Sequence, residues 1–209
     1  MTAQFIVFEG PEGGGKSIQV ARLVERLRTE GRDVVSTREP GGTRVGNDIR
    51  SVLLGLKDYA ILPETEVLLL AAARAQHVRE VIRPALERGI WVVCDRYVDS
   101  TYAYQGGGSG LEAESLRSIQ EFATNGLEPD TRILLDLPVE IGLRRRHADP
   151  ETVNRIDMAD RSYHERVRTR YLELAQANPG QWIVIDAQET PEQVEMAIWR
   201  QLQLRLAIA

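Results

Sequence analysis

The apolar positions of the chain follow two alternating patterns. Short apolar runs, rich in β-branched and aromatic residues, predict buried strands. They occupy residues 4–9, 33–37, 90–94, 131–136 and 182–186. Between them, apolar residues recur at the spacing of amphipathic helices. These helical segments cover residues 16–30, 44–54, 64–88, 111–125, 138–147, 158–177 and 191–206.

Local signals refine several of these segments. Pro84 is expected to kink or divide the segment 64–88, because proline lacks a backbone donor. Ser109–Glu112 and Thr190–Gln193 have the spacing of capping boxes. The stretch DRYVDSTYAYQGGG (95–108) follows an apolar strand, and its hydroxyls and glycines predict a tight turn.

The order of the elements predicts the fold class. Wholly apolar strands that alternate with helices indicate a parallel sheet covered on both faces. We therefore expect an α/β fold, in which helices flank a doubly wound five-stranded parallel sheet. No internal repeat, low-complexity tract or linker interrupts residues 1–209, so the chain is expected to form one domain.

Composition excludes several classes of function. The 209 residues carry a net charge of −5, which argues against a partner such as a nucleic acid polymer. The longest near-continuous apolar run, 67–73, is too short to span a membrane, and the N-terminus lacks the features of a signal peptide. Cys94 is the only cysteine, so the reducing cytoplasm is the expected location.

The first chemical motif is a glycine-rich stretch between a predicted strand and a predicted helix. It reads GPEGGGKS and comprises Gly10, Pro11, Glu12, Gly13, Gly14, Gly15, Lys16 and Ser17. It matches the P-loop pattern G-x-x-x-x-G-K-[ST], whose inward-turned backbone N–H groups bind phosphate. The helix N-terminus adds a favourable dipole. Lys16 is expected to hold the β- and γ-phosphates of ATP, and Ser17 to ligate Mg²⁺.

Other phosphate-binding classes match less well. A dinucleotide fingerprint needs G-x-G-x-x-G and has no use for Lys-Ser at the start of the helix. A guanine-specific switch protein would show N-K-x-D after a later strand, and the chain contains no such motif. The stretch therefore predicts a nucleotide hydrolase or kinase of the P-loop type.

A second set of polar residues lies where predicted strands end, which is where open α/β sheets bind ligands. Asp95 and Arg96 follow the strand 90–94, and Glu39 follows the strand 33–37. Asp95 has the position of the acid that helps to hold Mg²⁺ in P-loop proteins, and Arg96 offers a planar fork for phosphate. Taken alone, Asp95 and Arg96 could equally form a structural ion pair, and Arg74 could be a solvated charge on a helix.

Four stretches together resemble bacterial thymidylate kinases. They are the P-loop, TREPGGT (37–43), DRYVDSTYAYQGGG, and the later NRID (154–157) with RTRYLELA (168–175). The resemblance covers nearly the whole chain, in order and with matching spacing. It implies an enzyme that transfers the γ-phosphoryl group of ATP to dTMP with Mg²⁺, giving dTDP and ADP. It also implies a homodimer.

The same resemblance implies a site for dTMP. Glu12 would accept a hydrogen bond from the 3′-hydroxyl, Arg74 and Arg96 would bracket the monophosphate and the transferred group, and Tyr104 would crowd the 2′ position. The other implied contacts are Glu39 near the monophosphate and metal, Ser100 and Thr101 at the thymine edge, Gln105 close by, and Leu70 over the base. Leu70 stands where the family commonly has a phenylalanine that stacks on thymine.

Residues 142–157 are expected to form a short lid over ATP. The variable positions of the P-loop hold no arginine, so another residue must neutralise the charge on the transferred group. The resemblance implies Arg155, assisted by one of Arg144, Arg145 and Arg146. The implied catalytic set is Lys16, Asp95, Arg96 and Arg155, with Ser17 and Asp95 holding Mg²⁺ partly through water.

Two alternatives stay open at this point. A kinase for a different small acceptor would share the P-loop, and Leu70 is compatible with it. A P-loop ATPase that serves as a regulatory module would need no acceptor site, and the polar set from Asp95 to Gln105 argues against it.

Overall fold

A sheet of parallel strands forms the centre of the computed structural model, which describes residues 3–55, 58–148 and 153–206. The five strands are β1 (Phe5–Glu9), β2 (Val34–Arg38), β3 (Trp91–Asp95), β4 (Thr131–Asp136) and β5 (Trp182–Asp186). Their spatial order is β2-β3-β1-β4-β5, and every neighbouring pair is parallel. Each strand lies within one residue of its predicted bounds, which confirms the α/β fold class.

Helices connect the strands. In chain order they are α1 (Lys16–Thr29), α2 (Arg44–Leu54), α3 (Pro63–His77), α4 (Arg83–Glu87), α5 (Val98–Thr101), α6 (Ala113–Thr124), α7 (Val139–His147), α8 (Arg161–Ala177) and α9 (Pro191–Leu206). π-Helical stretches, Val78–Ile82 and Tyr102–Gly108, continue α3 and α5, and a 3₁₀ turn, Ile156–Met158, precedes α8. Over the described ranges, none of the helices combines the length and the apolar character that crossing a bilayer requires.

The core lies on both faces of the sheet, as the doubly wound prediction requires. Successive side chains of β1 point to opposite faces. Ile6 and Phe8 pack with α1 and α9 on one face, whereas Phe5 and Val7 pack with the π-helix after α3 on the other. All four are almost completely buried, and burying each such side chain stabilises the fold by roughly 1.5–3 kcal/mol.

The two central connections leave the sheet in opposite directions. After β1, the chain enters α1, whose apolar residues belong to the first core cluster. After the neighbouring β3, it enters α5, where Tyr97 and Val98 belong to the second cluster. Such a divergence opens a crevice at the carboxyl ends of the strands, where ligands of this class of fold bind.

The long helix predicted over residues 64–88 is divided, as Pro84 suggested. The helix α3 ends at His77, the π-helix follows, and α4 starts at Arg83. Ile82 and Arg83 keep a right-handed helical backbone, so Pro84 lies within a continuous helical path, and its missing backbone donor coincides with the change to π-helical hydrogen bonding just before it.

One of the two predicted capping boxes is confirmed and the other is wrong. The Thr190 N–H donates to Gln193 Oε1 at 3.2 Å, and the Gln193 N–H donates back to Thr190 Oγ1 at 3.4 Å. Ser109 is the C-cap of the preceding π-helix, and the N-cap of α6 is Glu112, because α6 starts only at Ala113. The helix predicted from residue 158 also starts later, at Arg161, because Asp160 accepts the Tyr163 N–H at 2.7 Å as its cap.

The prediction of a tight turn over residues 95–108 is wrong. The stretch from Val98 to Gly108 is helical, first as α5 and then as a π-helix. Its last glycines allow close packing on α8, since a Cβ at Gly107 would lie 2.6 Å from Arg170 Cβ. A Cβ at Gly108 would lie 2.6 Å from the Tyr163 ring. These glycines therefore allow close contact between the π-helix and α8, which the local sequence pattern does not reveal.

We expect the substitution Gly108→Ala to destabilise the protein by about 1–3 kcal/mol, because it forces Tyr163 and Val167 away from the π-helix. Urea unfolding measures the change in the free energy of unfolding. Gly106→Ala is the matched control, since its Cβ would meet only Leu116 Cδ1, at 3.3 Å. Equal losses in the two variants would contradict this account of the contact.

Candidate active site

A large pocket occupies the crevice at the carboxyl ends of β1, β2 and β3. Its volume is about 630 Å³, within the range of small-molecule sites. The walls come from the P-loop, the segment after β2, α3, the stretch 95–105, Arg145, Arg146 and residues 154–156. All these parts were predicted separately, and the fold brings them to one cavity.

The P-loop lies between β1 and α1, as predicted, and packs directly on α7. Gly13 has a positive φ of 71°, and a Cβ there would lie 2.1 Å from the Gly142 carbonyl oxygen. Only glycine tolerates both the left-handed backbone and this close approach. No acidic residue lies in the first turn of α1, and its N-cap residue, Gly15, has no side chain that could cap the helix. The free N–H groups of this turn are suited to an anion.

Lys16 stretches across the P-loop. Its Nζ donates to the carbonyl oxygens of Gly10 at 3.0 Å and Pro11 at 2.8 Å, and the residue is buried. Burial, together with Arg96, lowers the pKa of Lys16 to about 8, although Glu12 and Asp95 act in the opposite direction. The ammonium group is therefore held at the bottom of the pocket without a carboxylate within hydrogen-bonding distance in the described residues.

Ser17 and Asp95 meet beside the loop. The Ser17 hydroxyl donates to Asp95 Oδ2 at 2.6 Å, although the two residues are 78 positions apart. A hydroxyl next to a carboxylate is a donor set that suits Mg²⁺, which usually takes one or two protein oxygens and completes its shell with water and phosphate. The described residues hold no cluster of three or more His, Cys, Asp and Glu side chains suited to a metal.

Glu12, Arg96 and Tyr104 form a charged cluster in the middle of the pocket. Arg96 Nη2 donates to Glu12 Oε1 at 3.1 Å and to the Tyr104 hydroxyl at 3.0 Å, and that hydroxyl donates to the same Glu12 oxygen at 2.7 Å. Burial by itself raises the pKa of Glu12, but Arg96 and then Lys16 outweigh it and hold the pKa at about 2. In the described structure, Glu12 Oε2 receives no hydrogen bond, so this oxygen is open to a ligand.

Arg74 and Glu39 form a buried pair in the wall formed by α3. Arg74 Nε donates to Glu39 Oε2 at 2.7 Å, and His77 Nδ1 lies 2.9 Å from Glu39 Oε1. The other bonds of Arg74 go to Thr101 Oγ1 at 3.1 Å, the Tyr97 carbonyl at 2.8 Å, and Gln120. Arg74 is thus a firmly fixed residue, and not the solvated helix charge of the alternative interpretation.

The remaining residues predicted for the acceptor also line the pocket. Ser100, Thr101 and Gln105 lie on α5 and its π-helical continuation, and Gln105 Nε2 donates to Glu66 at 3.0 Å. Leu70 reaches the pocket from α3, on the side where Leu53 also contributes apolar surface. The polar and apolar parts of the wall therefore face one cavity.

The predicted lid is described only in part, because residues 149–152 of the segment 142–157 lie outside the described ranges. Arg155 lines the pocket, where it forms an ion pair with Glu66 and donates from Nε to the Leu53 carbonyl at 3.2 Å. Arg146 also lines the pocket and pairs with Asp157 at 2.8 Å. Arg145 donates to the Ala187 carbonyl at 2.7 Å.

Arg144 is the member of the basic triplet that stands apart. It is exposed and does not line the pocket. The triplet therefore does not act as a unit, and the structure brings only Arg145 and Arg146 to the cavity.

Sequence reasoning missed two arginines of the pocket. Arg38 ends β2, and Arg50 lies on α2, where it donates to the Pro40 carbonyl at 3.0 Å. Burial lowers the pKa of Arg50, and the nearby charges of Arg38, Arg96 and Arg146 lower it further. Such crowding of guanidinium groups is unfavourable in an empty pocket and is relieved by bound phosphate. In the sequence, the only indication that either arginine belongs to the site was the position of Arg38 next to Glu39.

Comparisons with known proteins agree on one family. The family model described as thymidylate kinase matches residues 8–198. A curated relative, the thymidylate kinase of Thermomicrobium roseum, is 54% identical over 195 residues, which are 93% of this chain and 92% of that protein. The thymidylate kinase of Pseudomonas fluorescens (strain Pf0-1) is 48% identical over 198 residues, or 95% of this chain and 94% of the relative.

A solved structure has the same architecture. The crystal structure of thymidylate kinase from Ehrlichia chaffeensis superposes with a TM-score of 0.80 and is 29% identical in sequence. The match covers 97% of this chain and 100% of that chain. The five-stranded fold and the sequence similarity therefore extend together over nearly the whole chain.

Proposed function

The chain belongs to the thymidylate kinase family, and on that premise we propose which of its side chains carry out each part of the reaction. The reaction is the phosphorylation of dTMP to dTDP, with ATP as the phosphoryl donor. It needs two nucleotides in one cavity, with the terminal phosphate of the donor next to the phosphate of the acceptor.

One observation carries the assignment: Glu12 joins the two ends of the pocket. It lies inside the P-loop, yet its carboxylate binds Arg96 and Tyr104 of the stretch after β3. The donor and acceptor ends are therefore continuous, as direct transfer between bound nucleotides requires. A P-loop ATPase without an acceptor would have no use for this second cluster.

At the donor end, Gly10 to Ser17 bind the phosphates of ATP. Lys16 approaches the β- and γ-phosphates, and its present partners, two carbonyl oxygens, keep it at the base of the loop. Ser17 and Asp95 would hold Mg²⁺, partly through water, because their oxygens lie together at 2.6 Å. An ion held by these two residues would supply positive charge close to the phosphates of ATP.

At the acceptor end, arginines hold the monophosphate of dTMP. Arg96 binds it directly. Arg74 contributes through the guanidinium N–H that its protein partners do not occupy, and Glu39 keeps Arg74 in place. Arg38 and Arg50 add positive charge on the β2 side of the pocket. The crowded cations make this end attractive to a dianion.

The nucleoside part of dTMP occupies the rest of the cavity. The open Oε2 of Glu12 accepts the 3′-hydroxyl, and Tyr104, fixed by Glu12 and Arg96, fills the space of a 2′-hydroxyl. Ser100, Thr101 and Gln105 face the edge of the base, and Leu70 covers its plane.

Catalysis consists of positioning and electrostatic stabilisation. The acceptor phosphate is already ionised, so no general base is required. Arg155 and Arg146 neutralise the charge on the transferred group when the lid closes. We choose Arg146 from the triplet because it lines the pocket beside Arg155 and lies close enough to Glu12 to lower its pKa. Closure also excludes the water that would hydrolyse ATP.

Formation of ADP from ATP, measured side by side with several acceptors, tests the function. We expect strong turnover with dTMP, weaker turnover with dUMP, and little with UMP, dCMP, dGMP or no acceptor. A preference for another acceptor would overturn the substrate. ADP formation that is independent of any acceptor would instead support the ATPase alternative.

We expect ATP to bind more weakly as the pH rises above about 8. The folded-state pKa of Lys16 is about 8, below its ordinary value, so the free enzyme loses the ammonium charge in this range. The phosphates of ATP favour the charged form, so binding at pH 8.5 will take up protons. Isothermal titration calorimetry in two buffers of different ionisation enthalpy measures this uptake. The absence of proton uptake would contradict the assigned contact.

Assembly and location are further parts of the proposal. We propose a homodimer through α3 and α6, which pack together and expose Leu68 and Phe122 at 60% and 81%. Light scattering should give twice the mass of the chain, and Phe122→Glu should give a monomer.

We also propose the cytoplasm as the location of the protein, because the reducing conditions there suit the lone, buried thiol of Cys94. Cell fractionation tests that location.

A further inference from the structure

Arg96 has an unfavourable backbone conformation. Its φ is 71°, in the left-handed region that residues with a Cβ rarely adopt. Such a conformation persists where the surroundings over-determine it, and it is often found at functional sites. The Arg96 N–H donates to the Phe8 carbonyl at 2.9 Å, and the guanidinium has four acceptors. Bonds at both ends of the residue therefore hold it in place.

The four acceptors fall into two groups. Glu12 and Tyr104 accept from Arg96 Nη2, within the cluster already described. The other two are Ser100 Oγ and the Tyr171 hydroxyl, each 3.2 Å from Arg96 Nη1. Tyr171 is fully buried, lies on α8, and belongs to the stretch RTRYLELA. None of the steps assigned above uses this residue.

A buried carboxylate lies behind these two hydroxyls. Glu9, the last residue of β1, is fully buried. The hydroxyls of Ser100 and Tyr171 donate to its Oε2 at 2.6 and 2.9 Å. The N–H groups of Tyr97 and Ser100 donate to its Oε1 at 2.9 and 3.3 Å. The two hydroxyls also lie 2.8 Å from each other, and either can donate in that contact. When both direct their protons to Glu9, both present lone pairs to Arg96.

We propose that Glu9 and Tyr171 are positioning residues that aim the Arg96 guanidinium at the phosphate of dTMP. The carboxylate orders the two hydroxyls, and these hold Nη1 while Nη2 binds Glu12 and Tyr104. The four Nη hydrogens of Arg96 have these partners, so the guanidinium offers the phosphate its Nε–H and its positive charge, and its orientation sets the contribution of both. The inference rests on the proposed contact between Arg96 and the acceptor phosphate.

A purely structural role explains Glu9 poorly. Burial, followed by repulsion from Asp99, raises the pKa of Glu9 to about 7. A carboxylate at this place is thus less favourable than an apolar side chain of similar size would be. The described hydrogen bonds of its carboxylate all come from Tyr171 or from residues of the segment that follows Arg96. The charge therefore serves that segment and not the sheet.

The test compares the affinities of dTMP and thymidine, which differ only in the phosphate. Tyr171→Phe removes one hydroxyl and keeps the ring that packs edge-on against Tyr104 with centroids 6.1 Å apart. We expect this variant to lose roughly tenfold in affinity for dTMP, the effect of a lost hydrogen bond to a charged group, with unchanged affinity for thymidine. Glu9→Gln should show the same pattern, and the KM for ATP should stay constant in both.

Two controls isolate the effect. Tyr163→Phe makes the same change on the same helix, where the hydroxyl contacts the Tyr104 carbonyl at 3.4 Å and the Ser109 side chain, and it should leave the affinity ratio unchanged. In the background of Arg96→Ala, adding Tyr171→Phe should have no further effect on the ratio, because the group that it positions is gone.

Equal weakening of both ligands, or an unchanged ratio in Tyr171→Phe, would overturn the positioning role. A further loss in the Arg96→Ala background would do the same. The wild-type enzyme separates these outcomes from a failure of the proposed function. If the wild-type enzyme phosphorylates dTMP and binds dTMP more tightly than thymidine, and the variants keep the wild-type ratio of these two affinities, only the positioning role is wrong. If it shows neither property, the assigned acceptor site is wrong.

Discussion

Replacement of Lys16 by methionine will lower kcat by about a thousandfold or more, the scale on which phosphoryl transfer depends on its charged groups. Methionine fills a similar space but cannot donate to the phosphates or to the carbonyl oxygens of Gly10 and Pro11. Among the residues that the structure describes, Lys16 is the only lysine that lines the pocket. Steady-state ADP formation at saturating ATP and dTMP measures the loss.

Binding of dTMP is the control for this variant. The acceptor contacts do not involve Lys16, so the dissociation constant for dTMP should change by less than about threefold, and the thermal midpoint should be nearly preserved. Turnover above a tenth of the wild-type value would contradict the role of Lys16. A parallel loss of dTMP binding would indicate a general collapse of the loop.

Replacement of Arg155 by alanine will lower kcat by about 10³-fold, with little change in the affinity for dTMP. Arg155 is bound to Glu66 and to the Leu53 carbonyl in the described structure. It must exchange these partners for the transferred phosphoryl group as the lid closes, and so its contribution arises mainly in the transition state. Measurement of kcat, KM and the dTMP dissociation constant separates the two effects.

Arg144→Ala is the matched control, because this arginine is exposed and does not line the pocket. It should leave kcat within about twofold of the wild type, the expected effect of a surface charge. If Arg155→Ala weakens dTMP binding and spares kcat, then Arg155 supports the wall of the acceptor site through Glu66. That outcome would refute its assignment to the lid.

Much of the fold follows from local pattern. The five strands are short, apolar and bounded by turns, and each was predicted within one residue. The three central strands, β1, β3 and β4, are buried on both faces, which is why their sequences are continuous apolar runs. Helix starts were less predictable. The side chains of Ser109 and Asp160 are both able to cap a helix, but only Asp160 directly precedes one.

The stretch 95–108 shows where local pattern fails. Three consecutive glycines predict a turn by their intrinsic preferences. The contact with α8 overrides these preferences, since Gly107 and Gly108 let Arg170 and Tyr163 pack directly on the π-helix backbone. Tertiary packing of this kind leaves no signal within the stretch itself.

The candidate site divides in the same way. The sequence by itself determined the P-loop, because Gly10 to Ser17 are continuous and their chemistry depends on local backbone geometry. It also determined the family, through motifs distributed over the chain. Only the tertiary structure decided which groups face one another. Arg96 and Tyr171 are 75 positions apart, and Arg155 meets Glu66 across a still longer separation. Hydrogen bonds and electrostatic interactions depend on distance through space, which the fold alone determines.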